Sequence, residues 1–117
     1  MTITIPLRLI APGNAREHWR VVAKRKKEQR ELARMYCASM KSFLTDYSIW
    51  PKKKPVIVII TRIGKRKMDD DNLSGSAKYV RDGIADALGV DDGDETAVKW
   101  EYKQEIGKDY AVRVEIR

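Results

Sequence analysis

The chain begins with a strict alternation of apolar and polar residues. In residues 2–10, TITIPLRLI, isoleucine and leucine occupy every second position, which is typical of a strand with one buried face. Pro6 stands on the polar side and indicates an edge strand or a strand end. After the break at APGNA, the apolar spacing changes to three and four residues. This spacing predicts a helix over about 22–44 with an apolar stripe of Leu32, Met35, Tyr36, Met40 and Phe43.

The second half of the chain continues with one more helical pattern and three strand patterns. The β-branched run VIVIITR, residues 56–62, predicts a central strand, and WPKKKP before it predicts a turn. A helical pattern follows from Leu73 to Leu88, and Gly89 is a suitable stop. The alternating segments AVKWEYKQ and YAVRVEIR then predict two strands. The EIGKD segment between them predicts a hairpin loop.

This order of elements predicts an α+β fold. The expected arrangement is β-α-β-α-β-β, a four-stranded mixed sheet with two helices packed mainly on one face. With 117 residues, the chain is expected to form one domain, 1–117. A single cysteine excludes an intramolecular disulfide and a cysteine-based zinc site. Because no apolar run approaches the roughly 18 residues of a membrane span and no signal-peptide pattern opens the chain, we expect a cytoplasmic protein that does not span a membrane.

Charge is strongly segregated along the sequence. The net charge is +7, from 24 basic and 17 acidic residues. Residues 13–54 hold twelve Lys/Arg and four Asp/Glu, a balance of +8, whereas residues 69–95 hold nine Asp/Glu and two Lys/Arg, a balance of −7. A basic protein with one acidic region favours a polyanion, such as a nucleic acid, bound by the basic part. The alternative is that the basic helix faces only solvate the fold.

The acidic residues form two groups at the ends of the second predicted helix. Asp69, Asp70 and Asp71 precede it, and the second group, Asp91, Asp92, Asp94 and Glu95, follows it. An N-cap at Asp71 or Asn72 and the helix dipole explain one or two acids at the start. Acids at the C-terminal end are electrostatically unfavourable and need another explanation.

A hard metal ion is one such explanation. Carboxylate oxygens without nearby histidine or cysteine suit Mg²⁺ or Mn²⁺. A helix of about sixteen residues is roughly 24 Å long, so the loop after it must turn back if both groups share an ion. A calcium loop of the EF-hand type is excluded, because its glycine position falls on Ser74 and its glutamate position on Val80. For His18 and Cys37, the only residues of their types, a surface or packing role is expected.

The acidic pattern resembles that of a known nuclease family. The segment DDDNL, a helix that ends in DAL, and DD beyond it resemble the RusA-type Holliday-junction resolvases, which are small dimeric endonucleases of phage and prophage origin. The order of elements and the chain length are similar too, although only residues 69–92 carry the motif. The resemblance implies a magnesium-dependent endodeoxyribonuclease that resolves four-way DNA junctions in recombination and repair.

The resemblance also implies roles for individual residues. Asp69 and Asp71 would bind Mg²⁺ and act in catalysis, with Asp92 as the third carboxylate and Asp91 as its close competitor. The family often has a lysine four residues after the second motif aspartate, where this chain has Gly75. Lys78 lies three residues further along the predicted helix, on the same side, and is a candidate substitute. The alternative for Lys78 is an ion pair with Asp82.

Two basic groups are candidate DNA contacts. Lys65, Arg66 and Lys67 lead directly into the aspartates, where they could hold phosphates beside the cut. A second group has helical spacing and could follow a duplex backbone: Lys24, Lys27, Arg30 and Arg34. Its alternative is an exposed helix face that also carries Glu28 and Glu31. A homodimer on a branched DNA substrate is expected, and the alternatives are a non-catalytic nucleic-acid-binding module or a nuclease for other branched phage DNA.

Overall fold

The structure is a computed structural model that describes residues 1–11, 18–46 and 55–117. The predicted α+β class is confirmed. The turn predicted for WPKKKP and most of the APGNA break lie outside the described residues. The elements are β1 (Thr2–Ile5), α1 (Trp19–Asp46), β2 (Val56–Gly64), α2 (Asp70–Ser76), α3 (Lys78–Leu88), β3 (Val98–Ile106) and β4 (Ala111–Ile116).

The four strands form one mixed sheet in the order β1-β4-β2-β3. Strand β2 is parallel to β3 and antiparallel to β4, and β1 is antiparallel to β4. The predicted β3–β4 hairpin is therefore wrong, because β2 lies between these two strands. Their short link crosses the end of β2, where the Gly107 amide donates to the Gly64 carbonyl at 2.9 Å. A Cβ at Gly107 would lie 2.6 Å from Cγ2 of Ile63, so the crossing requires glycine.

One face of the sheet carries the helices and the core, as predicted. Val58 and Ile60 of β2 are almost fully buried there, in the central strand. Alternate residues of the neighbouring strands and the inner faces of α1 and α3 complete one apolar cluster, which includes Val112, Val114, Ile116, Ala33, Met40, Val80, Ile84 and Leu88. Burial of this cluster orders the helices over the sheet.

The buried stripe of α1 differs from the predicted one. Met35 and Tyr36 are exposed, and the buried positions are Gln29, Ala33, Cys37 and Met40, of which only Met40 belongs to the predicted stripe. The reason is that α1 packs through small residues against α3, which a search for large apolar residues overlooks. Burial raises the pKa of the Cys37 thiol to about 12, in keeping with its predicted packing role. The side chain of Phe43 lies outside the described residues.

The first strand is shorter than its sequence pattern. It ends at Ile5, directly before Pro6, whose ring nitrogen has no hydrogen to donate to a neighbouring strand. The Leu7 amide then donates to the Ile5 carbonyl at 2.8 Å, which turns the chain away from the sheet. Leu9 is nevertheless buried in the core. The alternation over residues 2–10 therefore marks which side chains are buried, including some that lie after the end of the strand.

The second predicted helix is divided into α2 and α3 at Ala77. The hydroxyl of Ser76 donates to the Leu73 carbonyl at 2.7 Å, a contact that competes with helical hydrogen bonds and favours a bend. Helix α3 ends as predicted at Gly89, whose φ of 73° is left-handed. None of the described helices is long and apolar enough to cross a membrane.

Candidate active site

The carboxylates of Asp69, Asp70 and Asp71 are exposed at the start of α2. Asp69 occupies the N-cap position, where its main-chain carbonyl accepts from the amides of Asn72 and Leu73 at 3.0 and 2.9 Å. Its side chain makes no capping hydrogen bond. Within the described chain, none of the three carboxylates has a hydrogen-bond or ion-pair partner. Side-chain capping therefore does not account for them, and they are free to bind a ligand.

The loop that carries these acids is fixed to β3 by Gln104. Its side chain accepts from the Met68 amide at 2.9 Å and donates to the Met68 carbonyl at 2.7 Å. An open groove of about 430 Å³ adjoins this contact. The groove is lined by Lys67, Met68, Asp69, Asp70, Leu73, Tyr102, Lys103 and Gln104. Carboxylates and lysines therefore face the same open space at the edge of the sheet.

The second acidic group is built into a turn. The Asp91 carboxylate accepts from the Gly93 amide at 3.0 Å. The Asp94 carboxylate accepts from the hydroxyl and the amide of Thr96, at 2.6 and 3.0 Å. The hydroxyl contact first and the amide contact second hold the pKa of Asp94 below its usual value. Asp91 and Asp94 therefore have structural roles in shaping the approach to β3.

Asp92, the predicted third metal ligand, is held by Arg81. The Arg81 Nε donates to the Asp92 carboxylate at 3.1 Å, and a terminal nitrogen donates to the Asp92 carbonyl at 3.2 Å. The same carbonyl accepts from the Trp100 indole at 2.9 Å. The other terminal nitrogen of Arg81 donates to the Tyr102 hydroxyl at 3.1 Å. One oxygen of the Asp92 carboxylate is thus paired with a positive charge.

The structure does not bring the two acidic groups together. Asp92 lines its own groove of about 410 Å³, and Tyr102 is the residue that borders both this groove and that of Asp69. Gln104, which holds Met68 next to Asp69, and Trp100, which contacts Asp92, are four residues apart on β3, about 13 Å along the strand. Among the described residues, no three histidine, cysteine or acidic side chains form a metal-binding group.

Lys78 occupies the first position of α3 and is exposed. Because the helix is interrupted at Ala77, the continuous helix that would place Lys78 on the side of Gly75 is absent. The alternative pair with Asp82 is not among the ion pairs of the described residues either. Lys78 lines neither groove. Its suggested replacement of the family lysine stays a prediction.

Three of the four basic residues predicted to form a ridge on α1 are paired with acids. Arg30 forms a two-pronged ion pair with Asp86 of α3, at 2.7 and 2.9 Å. Its hydrogen bonds hold the pKa of Asp86 below the usual value. Arg34 pairs with Glu31, and Lys24 lies 3.9 Å from Glu28. Lys27 borders a shallow groove on the same helix. The predicted ridge therefore presents less uncompensated charge than its sequence suggests.

The basic segment before the aspartates is different. Lys65, Arg66 and Lys67 are exposed, and within the described residues none of them forms an ion pair. Lys65 has one aromatic contact, since its ammonium group lies 5.9 Å from the centre of the Tyr110 ring. The uncompensated positive charge nearest to the free carboxylates therefore belongs to this loop.

Sequence reasoning missed several residues that shape the site. Tyr102 and Gln104 share the helix-facing side of β3, and their alternation with Lys103 was the available signal. Arg81 was one of two basic residues within the acidic region, which could have suggested a partner for an aspartate. Arg62 is a buried cation in an otherwise apolar strand. The signal in the sequence was its position at the end of a β-branched run, where a charged residue is unexpected.

The comparisons with known proteins provide no further assignment. No family model matches the chain, and neither does any curated protein or any solved structure.

Proposed function

We propose that the protein is a metal-dependent endodeoxyribonuclease that cuts branched DNA, with the four-way junction as its substrate. The observation that carries this proposal is the group of partnerless carboxylates at Asp69–Asp71, directly after the unpaired cations Lys65–Lys67. Free carboxylates beside free cations suit a site that binds a metal ion and a phosphate backbone together. The motif in residues 69–92 supports the same reading.

The residues fit a magnesium ion in part. Asp69 and Asp71 offer exposed carboxylate oxygens, which are the ligands that Mg²⁺ or Mn²⁺ prefers. One oxygen of Asp92 accepts from Arg81 and one oxygen of Asp91 accepts from the Gly93 amide. Each carboxylate therefore has a second oxygen to offer, but the loop would have to carry it to Asp69. A bound ion would stabilise negative charge on the phosphate and lower the pKa of water. Arg81 in turn fixes Asp92 and Tyr102 along the groove wall.

The remaining parts of the proposal follow from the substrate. A four-way junction has two symmetry-related cleavage points, which a two-fold dimer with one site per subunit would match. Recombination and repair of DNA in the bacterial cytoplasm is the proposed setting. Lys65–Lys67 would hold phosphates next to the cut, and the partly paired ridge of α1 would be a secondary contact.

A non-catalytic DNA-binding module is the second candidate. The separation of Asp92 from Asp69, together with the Arg81–Asp92 ion pair, favours it. In that case the acids of the second group are turn and ion-pair residues only. The two candidates differ in one property, which is cleavage of DNA in the presence of Mg²⁺ or Mn²⁺.

Replacement of the loop cations should weaken DNA binding more than replacement of the α1 cations. In the triple variant Lys65→Ala, Arg66→Ala, Lys67→Ala, we expect the Kd for a four-way junction to rise at least about tenfold at physiological salt. The slope of log K against the logarithm of the salt concentration should decrease in magnitude by about 2 to 3, because each lost phosphate contact removes about 0.9 from it. Titration of labelled junction DNA in EDTA at several salt concentrations measures both quantities.

The matched control removes three charges from α1 through Lys24→Ala, Arg30→Ala and Arg34→Ala. A smaller loss is expected there, because in the wild-type protein these cations are paired with Glu28, Asp86 and Glu31. An equal or larger loss of junction affinity in the α1 variant would mean that the main DNA-binding surface lies on that helix.

A further inference from the structure

Arg62 is a buried cation that has no acidic partner among the described residues. It lies on the helix-facing side of β2, in register with Gln104 and Val112, and only 7% of its surface is exposed. One terminal nitrogen donates to the Arg66 carbonyl at 2.6 Å. Its Nε has no hydrogen-bond partner, and it is the buried side-chain polar atom of the described residues that lacks one. The edge of the guanidinium that contains Nε is therefore unused.

A buried guanidinium without a carboxylate partner is not explained by a contribution to the stability of the fold, because its burial is energetically unfavourable. A buried guanidinium loses its hydration, and native proteins normally compensate it with a carboxylate. Here a neutral carbonyl supplies the single hydrogen bond. An apolar side chain of similar length would fill the same position without an uncompensated charge. A buried cation at such a position is therefore a candidate for binding an anionic ligand.

The surroundings of Arg62 suit an anion. A Cβ at Gly64 would lie 2.8–3.0 Å from three atoms of the guanidinium, so the guanidinium packs directly against this glycine and a side chain there would displace it. The next three residues, Lys65–Lys67, add three exposed cations without ion pairs in the described structure. Four positive charges therefore lie within six residues, and they are followed at once by the loop of Asp69. A phosphate group matches both the charge and the two-pronged donor edge of an arginine.

We propose that Arg62 and the loop Lys65–Lys67 form a phosphate-binding site at the end of β2. Its ligand is a phosphodiester group of DNA next to the bond that is cut, and this assignment of the ligand rests on the proposed nuclease function. Because Nε is itself buried, binding requires a local movement that exposes it, and a phosphate oxygen would then provide the missing acceptor. Arg62 is thus a binding residue for substrate, distinct from the candidate metal ligands.

The variant Arg62→Met tests this site, because methionine replaces the unbranched aliphatic part of the side chain and removes the charge. We expect it to unfold at the same temperature as the wild-type protein or a higher one. The wild-type protein should show a rise in Tm with inorganic phosphate, compared with chloride at equal ionic strength, and Arg62→Met should lack this rise. Its Kd for a four-way junction in EDTA should increase at least about tenfold. Arg113→Met is the matched control, since Arg113 lies on the opposite face in an ion pair with Glu105.

The outcomes separate this inference from the nuclease proposal. If Arg62→Met retains both the phosphate effect and the junction affinity while the wild-type protein cuts DNA, the phosphate site is wrong and the nuclease stands. If the phosphate effect depends on Arg62 but the wild-type protein cuts no DNA, the anion site stands without the nuclease. Should Arg62→Met fail to fold, Arg62→Lys replaces it, with a folded protein and a weakened phosphate effect expected. Failure of both variants to fold would assign Arg62 a structural role and overturn the inference.

Discussion

The variant Asp71→Asn is expected to lose junction cleavage while it retains junction binding. Asparagine has the same shape but no charge, so it is a poor ligand for a hard cation. The Asp71 carboxylate is exposed and makes no hydrogen bond among the described residues, and the fold should therefore be unaffected. We expect the single-turnover rate in Mg²⁺ to fall about 100-fold or more, a typical cost of removing one electrostatic element of an active site. The Kd in EDTA should stay the same or decrease, because one negative charge is removed.

Asp82→Asn provides the matched control for this prediction. It makes the same chemical change within the acidic region, at a position inside α3 and not at the start of α2 beside Asp69. Cleavage by this variant should equal that of the wild-type protein. Full cleavage activity in Asp71→Asn would contradict the assignment of Asp71 as a metal ligand. A parallel loss of binding and cleavage would instead mean that Asp71 supports the DNA-binding surface.

The variant Gly83→Ala should be the most destabilising of the small substitutions in the fold. A Cβ at Gly83 would lie 2.2 Å from the Arg30 carbonyl oxygen and 2.8 Å from the Cβ of Ala33. Helices α1 and α3 would have to move apart, because backbone and a core methyl group cannot yield locally. The expected loss in free energy of unfolding is about 2 kcal/mol or more, even though alanine is intrinsically better in helices than glycine by about 1 kcal/mol. Thermal unfolding should show a Tm lower by roughly 8 °C or more.

Gly93→Ala is the control for this change. The nearest atom to its added Cβ is the Asp91 Oδ1 at 3.6 Å, an ordinary van der Waals distance. Its stability should stay close to that of the wild-type protein. Equal stability of Gly83→Ala and the wild-type protein would contradict the close contact of α1 and α3 on which the packing account depends.

The local pattern of the sequence predicted most elements but not their pairing. Alternation and β-branched residues mark β2 and β3 as strands because burial of one face has a period of two. Periodicity contains no information on which strands are neighbours. The segment EIGKD is short enough for a hairpin, but Gly107 allows it to cross the end of β2 instead. The helix is divided at Ala77, next to a hydroxyl contact of Ser76 that favours a bend and that no spacing rule reveals.

The candidate site was predicted in the same partial way. Adjacent residues such as Asp69–Asp71 remain together in any fold, so their clustering with Lys65–Lys67 could be read directly from the sequence. The position of Asp92 depends on tertiary structure, because Arg81, eleven residues earlier, binds both its carboxylate and the Tyr102 hydroxyl. Likewise, the pairing of Arg30 with Asp86 joins two helices that are 56 residues apart in the chain. Long-range ion pairs of this kind decide which charged side chains lack a partner. Such pairs cannot be predicted from the spacing of residues in the sequence.

The most direct test of the central claim is cleavage of a synthetic four-way junction by the wild-type protein. The reaction is followed in Mg²⁺, in Mn²⁺ and in EDTA, with a linear duplex of the same sequence as the control substrate. The nuclease proposal predicts paired nicks that are confined to the junction, require the metal ion and are absent from the linear duplex. Tight binding of the junction without any cleavage in either metal ion would contradict it and would favour the non-catalytic DNA-binding module.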